Sequence, residues 1–343
     1  MTTLVRGGRV VDPSTGLDGV FDILISGGKI ARIGAKVDVI PEQTIDVTGL
    51  IVVPGLIDMH VHLREPGYEA KETIATGARA AARGGFTTVC AMPNTNPVND
   101  CRAVTERILA EAGRNAIVNV LPIAAATRGS RGEEPVDMDD LVAAGAVAFS
   151  DDGLPVMNSR VMRQVLAAAA SSGSLVVDHC EDRALAEGGS MQEGPIAARL
   201  GLAGIPSASE EVMVCRDIIL AGALGTRVHI AHLSTAGGVR SVGEARSRGV
   251  RVSAEATPHH LLLTDAGLES RDTNFKMNPP LRTASDVSAL VEGLRMGVVE
   301  VIATDHAPHT AEEKHREFAK APLGTGWASS RRWAAGIPQR SPS

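Results

Sequence analysis

The sequence predicts an α/β fold: a parallel (β/α)8, TIM-like barrel preceded by a small β unit. Three observations carry this. From residue 51 onward, short β-rich runs alternate with helical stretches about eight times. The first of those runs closes on His60-Val61-His62, and residues i and i+2 of a strand point to one face. Further histidines and aspartates recur at the ends of later runs, on the face where such barrels keep their sites. The rival architecture, a doubly wound open sheet, requires a glycine fingerprint after its first strand, and the sequence has none there.

Taken in order, residues 1–50 read as the small β unit. Leu4–Asp12 alternates and turns, Phe21–Ile30 is a strand containing a Gly-Gly turn, and short strands continue to Val47. Meanders of this size are marginal alone. Residues 51–324 form the barrel, with strands expected at 51–59, 86–92, 117–122, 146–150, 174–178, 227–231, 250–255 and 298–303. Helices fill the gaps, among them Lys71–Arg83, Val161–Ser171 and Glu210–Leu224. Residues 325–343 hold both tryptophans, Trp327 and Trp333, no acid and little apolar periodicity, and read as a disordered basic tail.

Composition narrows the function. Net charge is −6 with both signs interspersed, so no basic stripe points to nucleic acid and no cationic amphipathic helix to a membrane surface. No apolar stretch reaches the ~18 residues of a membrane span, and the N-terminus carries no secretory signal. The four cysteines are scattered, with no CxxC pair, as expected of reduced cytoplasmic thiols.

The chemistry lies at the strand ends. His60 and His62, with Arg64 just beyond, follow the first run. Asn94 follows the second, Asp151-Asp152 the fourth, His179 the fifth, His232 the sixth and Asp305 the eighth. Nitrogen and oxygen ligands without thiolate suit two adjacent borderline-soft cations, zinc best, manganese or cobalt next. Such a pair shares a hydroxide, lowers its pKa and polarises a carbonyl, while a nearby carboxylate shuttles the proton. Arg64 and Asn94 suit a substrate carboxylate. Blander roles are assigned elsewhere. His229 packs or bonds locally, His259 and His260 form a structural turn pair, His306 supports the site from behind, and Asp151 caps the following segment. Ser234–Gly238 is a turn rather than an anion nest.

Together these residues carry a resemblance. Asp58–Gly67 (DMHVHLREPG), Met92–Thr95, Ser150–Gly153, His179–Asp182, His232–Thr235, Lys276–Arg282 and Ala303–His309 resemble, in order, the motifs of the dihydroorotases in the amidohydrolase superfamily. The resemblance implies a two-zinc barrel of the metal-dependent hydrolase type that interconverts N-carbamoyl-L-aspartate and (S)-dihydroorotate in pyrimidine synthesis. It implies that one zinc takes His60, His62 and Asp305, the other His179 and His232, with Asp152 bridging. Asp305 is then also the catalytic acid and base. His62, Arg64, Asn94, Asn278 and His309 meet substrate, with the backbone of Leu323 and Gly324. The implied setting is cytoplasmic, with a homodimer or an aspartate transcarbamoylase complex as partners.

The rival within the superfamily is a hydantoinase or allantoinase, which bridges its metals with a carboxylated lysine near strand 4. Here Asp151-Asp152 stands there, and no lysine occurs between Lys71 and Lys276. The resemblance stops near Gly324, where family members continue into a closing helix and strands that complete the β unit. The expectation is a lost reading frame or truncation that leaves the barrel's closing element incomplete, the β unit without its C-terminal complement and apolar flanks of strands 1 and 8 uncovered. A non-catalytic remnant, or an inactive partner of aspartate transcarbamoylase, is the reading of a different class.

Overall fold

A computed structural model describes residues 1–326; the expected tail beyond them, with Trp327 and Trp333, lies outside the described residues. The chain divides into two compact units, Met1–Leu56 and Ile57 onward.

The first unit is a five-stranded sheet of β1 (Thr2–Asp12), β2 (Leu17–Ser26), β3 (Lys29–Gly34), β4 (Gln43–Asp46) and β5 (Ile51–Val52). β1 is central: antiparallel to β2, parallel to β4 and β5. The buried Asp22 carboxylate accepts from the amides of Gly7 and Val37, which ties the meander together.

The run 51–59 does not form one strand. Ile51–Val52 pairs with β1, the Val53-Pro54-Gly55 stretch interrupts pairing, and a separate strand, β6 (Leu56–Val61), begins the barrel. Proline lacks the amide a ladder needs, which accounts for the break. The barrel continues with β7 (Phe86–Ala91), β8 (Asn119–Ala124), β9 (Ala148–Phe149) and β10 (Val176–Asp178). A two-stranded excursion comes next, β11 (Met191–Gln192) with β12 (Gly204–Ile205). The barrel resumes with β13 (Arg227–Ile230), β14 (Arg251–Ala256) and β15 (Val301–Ile302). Neighbours follow chain order from β6 to β15 around the eight-stranded sheet, skipping the excursion. The seam is joined where Val61 bridges His306 and the His62 amide donates to the His306 carbonyl at 2.8 Å. Below it, Asp58 accepts from the Thr304 amide at 3.0 Å and from its hydroxyl at 2.5 Å.

Helices Ile74–Arg83, Arg102–Asn115, Met138–Ala144, Ser159–Ser171, Ala208–Leu224, Ala236–Ser247 and Ala284–Arg295 follow the first seven barrel strands. Each apolar stripe packs on the sheet; Val161, Val165, Val214, Ile218, Val242 and Leu290 share one cluster with Val176, Val228, Ile230 and Val252. The helix expected from Lys71 starts at Ile74, because Thr73 caps it by accepting from the Thr76 amide. Among the described residues, only the four-residue helix Ala311–Lys314 and a turn at Phe318–Lys320 follow β15. On that flank Ile57 and Ile302 are 60% and 43% exposed. Thr325 is still paired, its carbonyl accepting from the Ala307 amide. No helix among the described residues is long and apolar enough to cross a membrane.

Candidate metal centre

Six predicted residues converge at the carboxyl ends of the barrel strands. His60 lies inside the end of β6 and His62 just past it; His179 follows β10, His232 follows β13 and Asp305 follows β15. Asp152 follows β9 by three residues. His60 Nε2 is 3.4 Å from Asp152 Oδ1 and 3.5 Å from Asp305 Oδ1. His62 Nε2 is 3.0 Å from Asp305 Oδ1 and 3.4 Å from Asp152 Oδ2. His232 Nε2 is 3.4 Å from Asp152 Oδ1, and His179 Nδ1 is 3.6 Å from it and 2.8 Å from His232 Nε2. Asp152 is the hub of all four rings.

Backbone strain collects here. Five described non-glycine residues have positive φ, and three are Arg64 (65°), His232 (31°) and Asp305 (47°). Such conformations cost energy and persist where the surroundings over-determine them. Gly324 (φ 108°) borders the same cavity, and a Cβ on it would lie 2.9 Å from Ala307 Cβ.

The donor set fits divalent cations. All six side chains are buried, and three donors in each of two groups, His60-His62-Asp305 and His60-Asp152-His232, lie within 4.8 Å of one another. Among the described residues, buried His60 Nε2 and Asp152 Oδ1 have no hydrogen-bond partner, an expensive arrangement unless something positive sits between them. Burial alone lowers the basicity of His60 and His179, yet the neighbouring carboxylates reverse it. Asp152, Glu255 and Asp305 hold His60 well above its usual range, and Asp152 with Glu181 raises His179 to about 10. Without a cation the cluster demands protons; a cation takes their place.

A cavity of about 220 Å³ opens above this cluster, lined by His62, Arg64, Asn94, Asp152, His179, His232, Asn278, Asp305, His309, Leu323 and Gly324, with Gly153 and Ala307. Every predicted site residue except His60 lines it; His60 sits beneath, fully buried. Arg64 Nε donates to the Pro308 carbonyl at 3.3 Å. His309 Nε2 donates to the Leu323 carbonyl at 2.8 Å. Burial and the charges of Arg64 and Lys71 push His309 down to about 4. Asn278 Nδ2 is 3.3 Å from His179 Nε2.

Some residues do other work than expected. Asp151 does not cap the next segment: it accepts from the amides of Ala126 (2.9 Å) and Thr127 (3.1 Å) and from the Thr127 hydroxyl, fastening the loop after β8. His229 bonds across the sheet, to Ser253 and Glu255, rather than locally. The amides of Ser234 and Thr235 do face an anion, the chain's own Glu210 carboxylate, at 3.0 and 2.9 Å. His306 reaches Glu72 at 3.1 Å. Two contributors are not legible in the sequence: Glu255, bonded to His60, and Lys276, whose ammonium donates to the carbonyls of Phe318, Ala319 and Ala321 at 2.7–2.9 Å and so holds the segment that carries Leu323. A carboxylate inside the apolar run 250–255 is the one available signal for the first.

Residues 49–237 match the family model described as Dihydro-orotase-like. The chain is 58% identical over 324 residues to a dihydroorotase of Pelotomaculum thermopropionicum, covering 94% of this chain and 76% of that one. The chain belongs to the dihydroorotase-like family. A dihydroorotase of Syntrophus aciditrophicus is 52% identical over 326 residues, again covering 94% and 76%. Among solved structures, the L-hydantoinase of Arthrobacter aurescens superposes with a TM-score of 0.85 at 26% identity, covering 96% of this chain and 75% of that one. The family's dihydroorotase members are thus similar in sequence, and hydantoinases similar in fold.

Proposed function

We propose that this chain is a dihydroorotase, a cyclic amide hydrolase that interconverts N-carbamoyl-L-aspartate and (S)-dihydroorotate with loss or gain of water in pyrimidine synthesis. The observation that carries the reading is the convergence of four histidines and two aspartates on one buried point beneath a small polar cavity.

Two zinc ions suit the donor set: His60, His62 and Asp305 would hold one, His179 and His232 the other, with Asp152 between them. Bound there, the cations supply Lewis acidity towards a carbonyl and a lowered pKa for water. The chain's own groups do the rest. Arg64, its Nε fixed by Pro308, keeps the terminal nitrogens of its fork for the substrate carboxylate, which a guanidinium matches with two parallel bonds. Asn94 would share that carboxylate, Asn278 and His309 border the rest of the cavity, and the backbone of Leu323 and Gly324 lines it. His62 sits where substrate and cluster meet. In hydrolysis Asp305 takes the proton of the attacking water at a carboxylate oxygen and delivers it to the ring nitrogen as the amide bond breaks. In the synthetic direction it removes the ureido proton and passes it to the departing oxygen. Ring closure of a short flexible acid is mainly a positioning task, which these fixed contacts address.

The hydantoinase reading draws on the fold similarity, but Asp152 stands where that chemistry uses a modified lysine. The reading of an inactive remnant or partner is opposed by the presence of all six predicted ligands. A cytoplasmic location, and a homodimer or an aspartate transcarbamoylase complex, complete the proposal. Purified protein, assayed for zinc content and for turnover of dihydroorotate, hydantoin and allantoin, tests it. Dihydroorotate turnover with about two zinc per chain is expected; cleavage of the other rings alone, or a folded zinc-loaded protein without turnover, overturns it. Size-exclusion chromatography with and without the transcarbamoylase tests the assembly.

A further inference from the structure

Glu255, on β14, is a fully buried carboxylate that the reaction above does not use. Its Oε1 is 2.7 Å from His60 Nδ1 and 3.2 Å from the backbone nitrogen of His232. Its Oε2 is 3.2 Å from His229 Nε2, and His229 Nδ1 is in turn 2.8 Å from the Ser253 hydroxyl. We propose that Glu255 is the positioning residue of the metal centre: one carboxylate that fixes the tautomer of His60 and seats the backbone of His232, and so governs one ligand of each cation.

The inference rests on the metal-centre reading above and comes from donor and acceptor counting. An ionised carboxylate only accepts, so His60 must donate from Nδ1, and its free electron pair lies on Nε2. That is the nitrogen facing Asp152 and Asp305. With the opposite tautomer Nε2 would carry a hydrogen and ligate nothing. The same counting runs through His229, which donates from Nε2 to Glu255 and accepts the Ser253 hydroxyl proton on Nδ1. The direction of the whole relay is therefore set by the Glu255 carboxylate, the one member that can only accept. At His232 the backbone holds φ of 31°, unfavourable for a side chain with a Cβ. The hydrogen bond from its backbone N–H to Glu255 Oε1 offsets that strain at the residue whose ring must point inward. Asp152 Oδ1 also approaches both residues, but at their Nε2 atoms on the cation side; Glu255 holds them from behind, through His60 Nδ1 and the His232 backbone.

Two substitutions test this. Glu255→Gln keeps the shape but loses the charge and turns one acceptor into a donor. Glu255→Asp keeps the charge but is one methylene too short to serve both histidines. Both are expected to bind Zn2+ roughly 10- to 100-fold more weakly in competition with a chromophoric chelator, in the range typical of groups behind a metal ligand, and to change the visible spectrum of the Co2+-substituted protein. Melting curves taken in EDTA and in zinc supply the separating measurement, because a positioning role narrows the gap between the two curves. Parent-like Zn2+ affinity and Co2+ spectrum in both variants overturn the inference. So does a variant that loses as much stability without metal as with it, or that does not fold without metal, since Glu255 then serves the barrel alone. If the parent chain itself binds no Zn2+, the metal-centre reading fails first, and that outcome is visible before any variant is made.

Discussion

The side-chain oxygen of Asn94 lies 2.9 Å from Nδ1 of His62. A residue expected only at the substrate thus also orients a proposed ligand, accepting the Nδ1 hydrogen and leaving Nε2 facing the cluster. Asn94→Ala is therefore expected to raise KM and also to weaken metal retention several-fold, whereas a purely substrate-binding asparagine changes KM alone. Parallel measurements of KM and of zinc loss to a chelator separate the two.

Lys276 is buried and holds three backbone carbonyls of Phe318–Ala321; Gly324 in turn donates its amide to the Lys276 carbonyl at 2.9 Å. A hydrogen bond from a charged donor is worth ~1.5–3 kcal/mol. Lys276→Met is expected to loosen this segment, to raise KM by about tenfold, equivalent to ~1.4 kcal/mol, and to expose residues 316–324 to protease. Zinc content is expected to stay at the parent value, because none of the six ligands touches Lys276.

Burial holds His260 at about 3 against the usual 6.5, with Nδ1 2.8 Å from the Thr257 hydroxyl and Nε2 2.9 Å from the Pro279 carbonyl. Proton counting gives the sign. Between pH 6.5 and 3 the unfolded chain binds a proton that the folded chain refuses, so stability is lost as pH falls through that window. Each unit of separation contributes ~1.4 kcal/mol. Urea midpoints across the window are expected to fall with pH, and less steeply in His260→Gln; equal slopes in the two proteins refute the assignment.

Removal of metal is expected to lower the melting temperature. A cation bound only by the folded chain stabilises it by ~2.7 kcal/mol when free metal stands at about 100 times its Kd. EDTA is therefore expected to shift the midpoint down by several degrees and added zinc to restore it. An unchanged midpoint would mean that the six ligands bind no cation.

How much of the molecule is legible in its sequence depends on how local each signal is. His60 and His62 share a strand face by spacing alone, and His179, His232 and Asp305 announce themselves by ending apolar runs. The barrel emerges from the same runs, although the proline at 54 divides the first one between two units. Glu255 and Lys276 are opaque for a different reason. Each works through partners 23 to 195 residues away, and a single charged side chain in a run says nothing of what it faces. Asp151 and the Ser234 turn mislead similarly: their amide and anion partners, Thr127 and Glu210, lie 24 positions off in sequence.

The bond between His62 and Asp305 spans 243 residues, and its two members flank the strand seam. A chain leaving the ribosome at ~5–20 residues per second must then wait roughly 10–50 s between its first ligand and its last. For that interval the early imidazoles belong to an open sheet with two free edges, accessible to stray cations and to neighbouring nascent chains. Completion of the centre is thus a timing event as well as a geometric one, and capture of a cation would mark the moment at which the growing sheet becomes a ring.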